Sequence, residues 1–468
     1  MMQLAGIAWD IWRAERCGPD AIARRQRDRL TALVDHARSA SPFYRRLYRD
    51  IPETVRDLDS DLASELATVL GELPPVGKRE LMANFDDWVT DPHITLAGLK
   101  GDLLGDTSRV GGYYRGQYLV VTTSGSTGEP AVLVLDRNSL QVANLLAPIR
   151  ARRALLTAAE ARAFLRRGLR AAALIADGDH FAGVVLTETA RHRSPRIARR
   201  VRVFSVLRPL PELVAELNAF QPTVLYGYPS AMVQLAAEQR SGRLRIQPVL
   251  AAASGEALAD DGTAAIEAAL GCRATARYLA SEAPALTFRC PQGQFHVNAD
   301  WHIVEPVDDN FRPVTAGELS HTVLVTNLAN QVQPLIRYNL GDRVQLAAGP
   351  CACGSPFPAI RVEGRSGDIL TFGSSSGGVV TVLPLALGTV IEETAGVRRF
   401  QAIRTGMRHL TVRLELWPDA SAAAVRAGVT ERLGAFFAAQ GADGVVVRFA
   451  DEPPRPDRSG KFREVWSA

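Results

Sequence analysis

Apolar positions along the chain follow three successive patterns. Near the N-terminus, Leu30, Leu33, Val34 and Ala37 recur at helical spacing, and Ser41-Pro42 ends the run. Between about 138 and 280, short unbroken apolar runs at 171–176, 201–206, 224–226, 248–252 and 274–279 alternate with helical stretches near 138–150, 211–220, 229–240 and 258–270. Strands that are apolar on both sides are buried on both faces, so the alternation predicts a largely parallel sheet covered by helices. From 284 to 350 short strands separated by Gly, Asn and Asp turns take over, as in a small β subdomain. Beyond Gly364 the pattern is that of a smaller α+β unit. It has strands near 369–372, 398–416 and 445–449, helices near 384–395 and 421–439, and a polar tail at 453–461. The predicted fold class is therefore α/β. A large N-terminal domain, 1–365, has mostly parallel sheets and a β subdomain, and a small mobile α+β domain, 366–468, follows.

Composition narrows the partners. A chain of 468 residues exceeds one ordinary core, and 47% hydrophobic with 22% charged residues is the balance of a globular protein. A net charge of +4 is too small to indicate nucleic acid. The Arg clusters at 150–153, 162–170 and 191–202 read as solvated helical faces in preference to a nucleic-acid patch. No apolar run approaches the roughly 18 residues of a membrane span, and the opening MMQLAGIAWDIWRAER lacks the basic start and clean apolar core of a signal peptide. Five cysteines do not make a disulfide scaffold and fit a reducing cytoplasm. The expectation is a cytoplasmic protein without nucleic-acid or membrane partners.

The candidate chemistry begins at TTSGSTGEP, 122–130, a Ser/Thr/Gly loop between the apolar runs 118–121 and 131–135. Thr123, Ser124, Ser126 and Thr127 offer hydroxyls, and Gly125 and Gly128 free backbone N–H groups to approach an anion. The loop reads as a phosphate cradle, with a plain polar hairpin turn as the alternative. It is not a Walker A loop, because Glu129 and not Lys follows Gly128. Four further groups lie downstream. Ser254-Gly255-Glu256 follows a buried strand, where open α/β sheets hold ligands. Tyr278-Leu-Ala-Ser281-Glu282 follows another, and its carboxylate suits Mg²⁺ on a nucleotide phosphate. Tyr338-Asn-Leu-Gly341-Asp342 precedes Gly364-Arg365-Ser-Gly-Asp368, a carboxylate for ribose hydroxyls and an Arg for an oxyanion. Last is Ser459-Gly460-Lys461, whose Lys is a mobile point charge for a reacting phosphate. Each alone has an ordinary structural reading, and their order along one chain is what distinguishes them.

In that order the sequence resembles the adenylate-forming superfamily of acyl- and aryl-CoA ligases, adenylation domains and luciferases. It is most similar to the phenylacetate-CoA ligase-like branch, whose N-terminal SPFY segment is matched at 41–44. The resemblance implies ATP and Mg²⁺ as cofactors and a carboxylic acid as substrate. Thr123–Gly128 (123, 124, 125, 126, 127 and 128) would close over the β- and γ-phosphates, and Ser254, Gly255 and Glu256 would line the adenine and acyl pocket. Tyr278 would stack near the adenine with Ser281 beside it, and Glu282 would bind Mg²⁺. Asp342 would take the ribose hydroxyls with Arg365 alongside, Asp368 would be the hinge, and Lys461 would bridge carboxylate and α-phosphate. A second nucleophile would then displace AMP.

Three further expectations complete the reading. The stretch 371–380, TFGSSSGGVV, departs from the CoA-ligase pattern of a Gly-rich segment with a Pro. The acceptor is thus CoA, an amine giving an amide, a carrier-protein thiol, or a partner to which the adenylate is released. Phe181, Tyr226, Tyr228, Pro229 and Ala253 sit at predicted strand ends and suit a small aromatic acid, although each is also an ordinary core residue. Asp177 and Asp179 would greet an amino group or simply form a turn. Cys290, His296, Cys351 and Cys353 supply the donors of a structural Zn²⁺ site, with His302 or His321 as substitutes for His296 and three reduced thiols as the alternative. Cys17 and Cys272 have no partner pattern. A non-catalytic nucleotide-binding relative is the alternative from another class, and retention of both Glu282 and Lys461 speaks against it.

Overall fold

The structure is a computed structural model and describes residues 2–51, 62–123, 130–155, 157–177, 180–255, 258, 260–363, 370–374, 378–382, 384–455 and 464–468. Among the described residues of the first hundred, helices are the main element. The longest helix there, Pro19–Ala40, starts on Gly18-Pro19 and buries Ile22, Leu30, Leu33, Val34 and Ala37. It stops because Ser41 is extended ahead of Pro42 and caps the next helix by accepting from the Tyr44 amide at 3.3 Å.

Two strands follow, β1 (Leu119–Thr122) and β2 (Val132–Leu135), paired with each other. Five more come next: β3 (Ala171–Ile175), β4 (Val201–Ser205), β5 (Val224–Gly227), β6 (Leu250–Ala253) and β7 (Arg273–Ala276). All their pairings are parallel, in the order β4-β3-β5-β6-β7. Then come β8 (Thr287–Arg289), β9 (Phe295–Val297), β10 (His302–Val307), β11 (Thr322–Asn327), β12 (Leu335–Asn339), β13 (Arg343–Leu346) and β14 (Ala359–Glu363). These form two antiparallel sheets, β10-β11-β12 and β13-β14-β9-β8. Last are β15 (Leu370–Gly373), β16 (Val379–Val382), β17 (Val397–Gly406), β18 (His409–Leu416), β19 (Val446–Phe449) and β20 (Val465–Ser467). β15 pairs with β16, and the others form a mixed sheet, β19-β18-β17-β20. The fold class is α/β, as predicted. The helices Ala182–His192 and Ala158–Arg167, and the strands β14, β16 and β20, were not legible in the pattern.

The chain divides into two compact units. One comprises Met1–Val121, Val132–Ala161 and Arg277–Gly364, and the other Thr122–Ala131, Arg162–Ala276 and Arg365–Ala468. In the second, the last hundred residues share one apolar core with the parallel sheet. Leu217, Met232 and Leu235 belong to the same cluster as Leu370, Phe372, Leu387 and Phe437. Gln234 Nε2 donates to Thr381 O at 2.9 Å, and Gln440 Nε2 to Leu207 O at 3.2 Å.

The first unit is cross-braced by charge. Arg150 and Asp300 meet at 2.6 Å with neither side chain exposed to solvent. Arg150 lies over the Phe357 ring at 4.0 Å, and Arg29 lies over Trp301 at 3.4 Å while donating to Asp300 O. Burial pushes the Asp300 carboxyl up and the Arg150 guanidinium down, and their contact works against both shifts. Removing one partner strands the other charge in the interior. Asp300→Ala is therefore expected to cost about 3–5 kcal/mol in urea unfolding; a loss below about 1 kcal/mol would contradict the pair's role.

Candidate functional site

In the second unit the site is built on the C-terminal ends of the parallel strands. Leu174, Phe204, Gly227, Ala253 and Ala276 are in register across all five. Chain order reverses between β3 and β5, since β4 lies on one side of β3 and β5–β7 on the other. Such a switch point leaves a crevice outside the strand ends. Gly227 makes the close approach there: its φ is +134°, and a Cβ would lie 2.0 Å from Leu174 O. Tyr228 N donates to Leu174 O at 3.0 Å and Ser254 N to Gly227 O at 2.7 Å, so β5 and β6 leave the sheet side by side. Gly255 has φ +89°, and a Cβ on it would meet the Tyr228 ring at 3.0 Å.

The candidate pocket residues gather at this edge. Tyr228 and Pro229 open the helix Pro229–Arg240, Ala253 ends β6, and Phe181 precedes the helix Ala182–His192. Tyr226 is less available: its hydroxyl meets Thr187 Oγ1 at 2.8 Å, and burial holds its pKa above the usual value. The root of the Ser/Thr/Gly loop belongs to the same edge. Thr122 N donates to His180 O at 2.7 Å, and Thr122 bridges to Phe181. Thr123 closes the loop stem, its amide donating to Ala131 O at 2.9 Å and its hydroxyl accepting from Ala131 N at 2.9 Å. Asp177 accepts from the Ser205 hydroxyl, which ties the end of β3 to the end of β4. Ser124, Gly125, Ser126, Thr127, Gly128, Asp179, Glu256, Arg365, Asp368 and Lys461 lie outside the described residues.

In the first unit, a second cluster forms around Glu282. Tyr338 OH donates to Glu282 Oε1 at 3.1 Å, and Tyr278 OH donates to Asp342 Oδ2 at 2.8 Å. Asn327 Nδ2 holds the Glu282 carbonyl at 2.9 Å. Glu282 is buried, and burial raises its pKa. The Tyr338 hydrogen bond and the charge of Lys78 pull it back, while Asp342 pushes it up. The structure thus brings Tyr278, Glu282, Tyr338 and Asp342 together, with Ser281 half-buried beside them. Lys78 was missed in the sequence. It reaches the cluster because Val76 pairs with β12, Val76 N to Arg337 O at 3.1 Å and Asn339 N to Val76 O at 2.9 Å. No local motif around Lys78 signals that pairing.

The same unit assembles the four zinc candidates. The ligand atoms of Cys290, His296, Cys351 and Cys353 all lie within 4.8 Å of one another. Cys290 sits on the turn between β8 and β9, which Gly293 closes by donating to Cys290 O at 2.9 Å. Cys351-Ala-Cys353-Gly354 is a second turn, closed by Gly354 N to Cys351 O at 3.0 Å. Cys290 Sγ and Cys351 Sγ are 3.9 Å apart, and Cys353 Sγ is 3.4 Å from His296 Nε2. These separations are far too long for a disulfide and match the edge of a tetrahedron with metal–ligand bonds of about 2.0–2.3 Å. His296 Nδ1 lies 2.7 Å from Phe357 O, so it is the donor, and Nε2 is left with its lone pair toward the sulfurs. Burial also lowers the His296 pKa, which favours the neutral, ligating imidazole. His302 and His321 are not part of the cluster.

The chain is similar to 2-hydroxyisobutyryl-CoA ligase in complex with 2-HIB-AMP and CoA in the thioesterification state, with 20% identity, coverage of 96% of this chain and 89% of that chain, and a TM-score of 0.53. It is also similar to the same ligase in the postadenylation state with 2-HIB-AMP, at 20% identity, 95% and 89% coverage and a TM-score of 0.51. No protein-family model and no curated protein matches the chain. The chain thus has the fold of an adenylate-forming acyl-CoA ligase over 96% of its length. Among the described residues, no helix is long and apolar enough to cross a membrane.

The Glu282 cluster makes a direct prediction. Tyr338→Phe removes a group that holds the carboxyl down, so its titration, followed by carboxyl ¹³C NMR, moves to higher pH. An unchanged or lower titration would show that the hydroxyl does not govern it.

Proposed function

We propose that this chain is an AMP-forming ligase. It activates a small carboxylic acid as its acyl-adenylate, releasing pyrophosphate, and passes the acyl group to a thiol or amine nucleophile, CoA first among them. The observation that carries the reading is a coincidence on one chain. The fold likeness spans 96% of it, and five phosphate-, ribose- and metal-suited motifs follow in the expected order. The ligase it resembles was captured with an acyl-AMP and CoA.

In this reading the acid lies at the β3/β5 switch point. Phe181, Tyr228 and Pro229 line its apolar part, which suits an aromatic acid, and Tyr226 and Ala253 form the floor. Thr123 to Gly128 hold the β- and γ-phosphates, and Ser254, Gly255 and Glu256 flank the adenine. Gly255 leaves room there that any side chain would take from Tyr228. Asp342 takes the ribose hydroxyls with Arg365. The Tyr278 hydroxyl orients Asp342, and its ring packs against the apolar residues beneath it. Glu282 holds Mg²⁺, which when bound neutralises charge on the phosphate oxygens. A buried carboxyl with a raised pKa ionises readily only when such a cation faces it.

Attack of the carboxylate oxygen on the α-phosphorus builds negative charge that Lys461 is placed to meet. Residues 366–468 form the domain that carries Lys461, with Asp368 as the hinge. Its rotation would exchange the Gln234–Thr381 and Gln440–Leu207 hydrogen bonds for others. An amine or carrier-protein thiol is the second reading for the acceptor, favoured by the absence of a Pro in TFGSSSGGVV at 371–380.

Lys461→Ala tests the catalytic assignment. It should abolish acid-dependent AMP formation, by at least about 100-fold, while ATP still binds. Unchanged turnover would remove Lys461 from the mechanism.

Zn²⁺ in the Cys290, His296, Cys351 and Cys353 site serves structure, tying the β8–β9 turn to the loop ahead of β14. Protein purified without added metal should carry about one zinc per chain. Cys353→Ser should lose it and unfold at a lower temperature. Wild-type protein free of zinc, with a melting temperature indifferent to chelator, would rule the site out.

A further inference from the structure

We propose that the N-terminal end of the parallel sheet is a docking face for an anionic phospholipid bilayer. Three chain segments meet there: 162–170 leads into β3, 191–202 into β4 and 240–245 into β6. Together they hold thirteen arginines, no lysine and no carboxylate. Hydrogen bonds and register bring them to one place. Arg167 Nη1 donates to Gln247 O at 2.7 Å, Arg170 Nε to Gln221 O at 2.8 Å, and Gln221 Nε2 to Arg245 O at 2.9 Å. Asn218 Nδ2 donates to Arg243 O at 2.9 Å. Ala171 pairs with Val201, which sets Arg170 beside Arg200, and Ala172 pairs with Arg202.

Arg166, Arg167, Arg199, Arg200, Arg202, Arg240, Arg243 and Arg245 are all exposed. Local acids account for little of this charge: Glu188 pairs with Arg191 and Glu238 with Arg243, and Glu267 accepts from the Ala274 amide. The helices Ala158–Arg167, Ala182–His192, Pro195–Arg200 and Pro229–Arg240 end here, and their dipoles offset about two charges between them. A large positive excess remains.

The choice of partner comes from the apolar residues set among these arginines. The helix Ala158–Arg167 buries none of its residues, and Leu165 is 85% exposed with Leu169 at 50%. Exposed leucines flanked by arginines suit insertion at the headgroup boundary of an anionic bilayer. They contribute nothing to a phosphate backbone, and the three segments offer little for a base to stack on, with no exposed Phe, Tyr or Trp and His192 as the single exposed ring. An acidic carrier protein delivering an acceptor is also disfavoured. The face lies at the opposite end of the strands from the crevice, about 17 Å away along five residues. It is therefore an attachment surface and not a delivery route, and it is independent of the reaction assigned to the crevice.

The test is cosedimentation of the full chain with phosphatidylcholine vesicles, alone or mixed with phosphatidylglycerol, at low and high salt. Binding should require the anionic lipid and vanish at high salt. Arg166→Gln with Arg167→Gln should weaken it by about tenfold or more, and Leu165→Gln should also weaken it at unchanged charge. The Leu165 variant keeps the test meaningful if the double variant misfolds. No vesicle binding, equal binding to neutral vesicles, or indifference to Leu165 would overturn the proposal. Tighter binding to a DNA duplex than to anionic vesicles would overturn it as well, in favour of a nucleic-acid surface.

Discussion

The C-terminal edge of the parallel sheet in the second unit depends on one constraint, the close approach of β5 to β3 at Gly227. With Leu174 O only 2.0 Å from where a Cβ would be, no other residue lets the two strands finish level. Their levelness lets Tyr228 and Ser254 continue the hydrogen bonding by one residue and then diverge. The divergence makes the crevice, and it sets Phe181 and the Thr122–Thr123 loop root beside it. Side-chain chemistry at this edge follows from backbone geometry, which explains why so many of its residues are small or terminate an element.

The first unit works by a different physics. Its candidate site and its brace rest on ionisable groups held by specific partners: the buried Glu282 by Tyr338, the half-buried Asp342 by Tyr278, and the buried Arg150 by Asp300. Burial makes the charges of Glu282, Arg150 and Asp300 costly, so these are fixed in place by the groups that offset the cost. The Cys₃His cluster adds to this. His296 is oriented by the Phe357 carbonyl, and the Phe357 ring carries Arg150 on its face. A bound metal and the buried ion pair would therefore brace the same short segment.

Much of this was legible in the sequence, for physical reasons that differ by region. The buried parallel strands announced themselves because both faces are apolar, and four of the five fall within two residues of the predicted runs at both ends. The four residues of the Cys₃His cluster were legible because Cys and His are few in this chain, and each pair, Cys290 with His296 and Cys351 with Cys353, is close in sequence. Three strands were not found, β14 because it lies beyond the predicted β subdomain. β16 is short and buries only Val382, and β20 gains its place by pairing with β17 across more than sixty residues. Lys78 was likewise invisible, since its nearness to Glu282 depends on a pairing of Val76 with β12 that no local pattern encodes. The sharing of one core by the parallel sheet and residues 370–468 is also a long-range fact, and the change of pattern at Gly364 did not reveal it.

The central claim is that this fold carries out adenylation. The most direct measurement is pyrophosphate release from ATP and Mg²⁺ across a panel of aryl, arylacetic and amino-substituted acids, each with and without CoA. The account predicts release that depends on one class of acid, with AMP formed in equal amount once an acceptor is present. Acceleration by CoA would identify that acceptor, and indifference to CoA would direct the search to amines and carrier proteins. No pyrophosphate release with any acid would contradict the account.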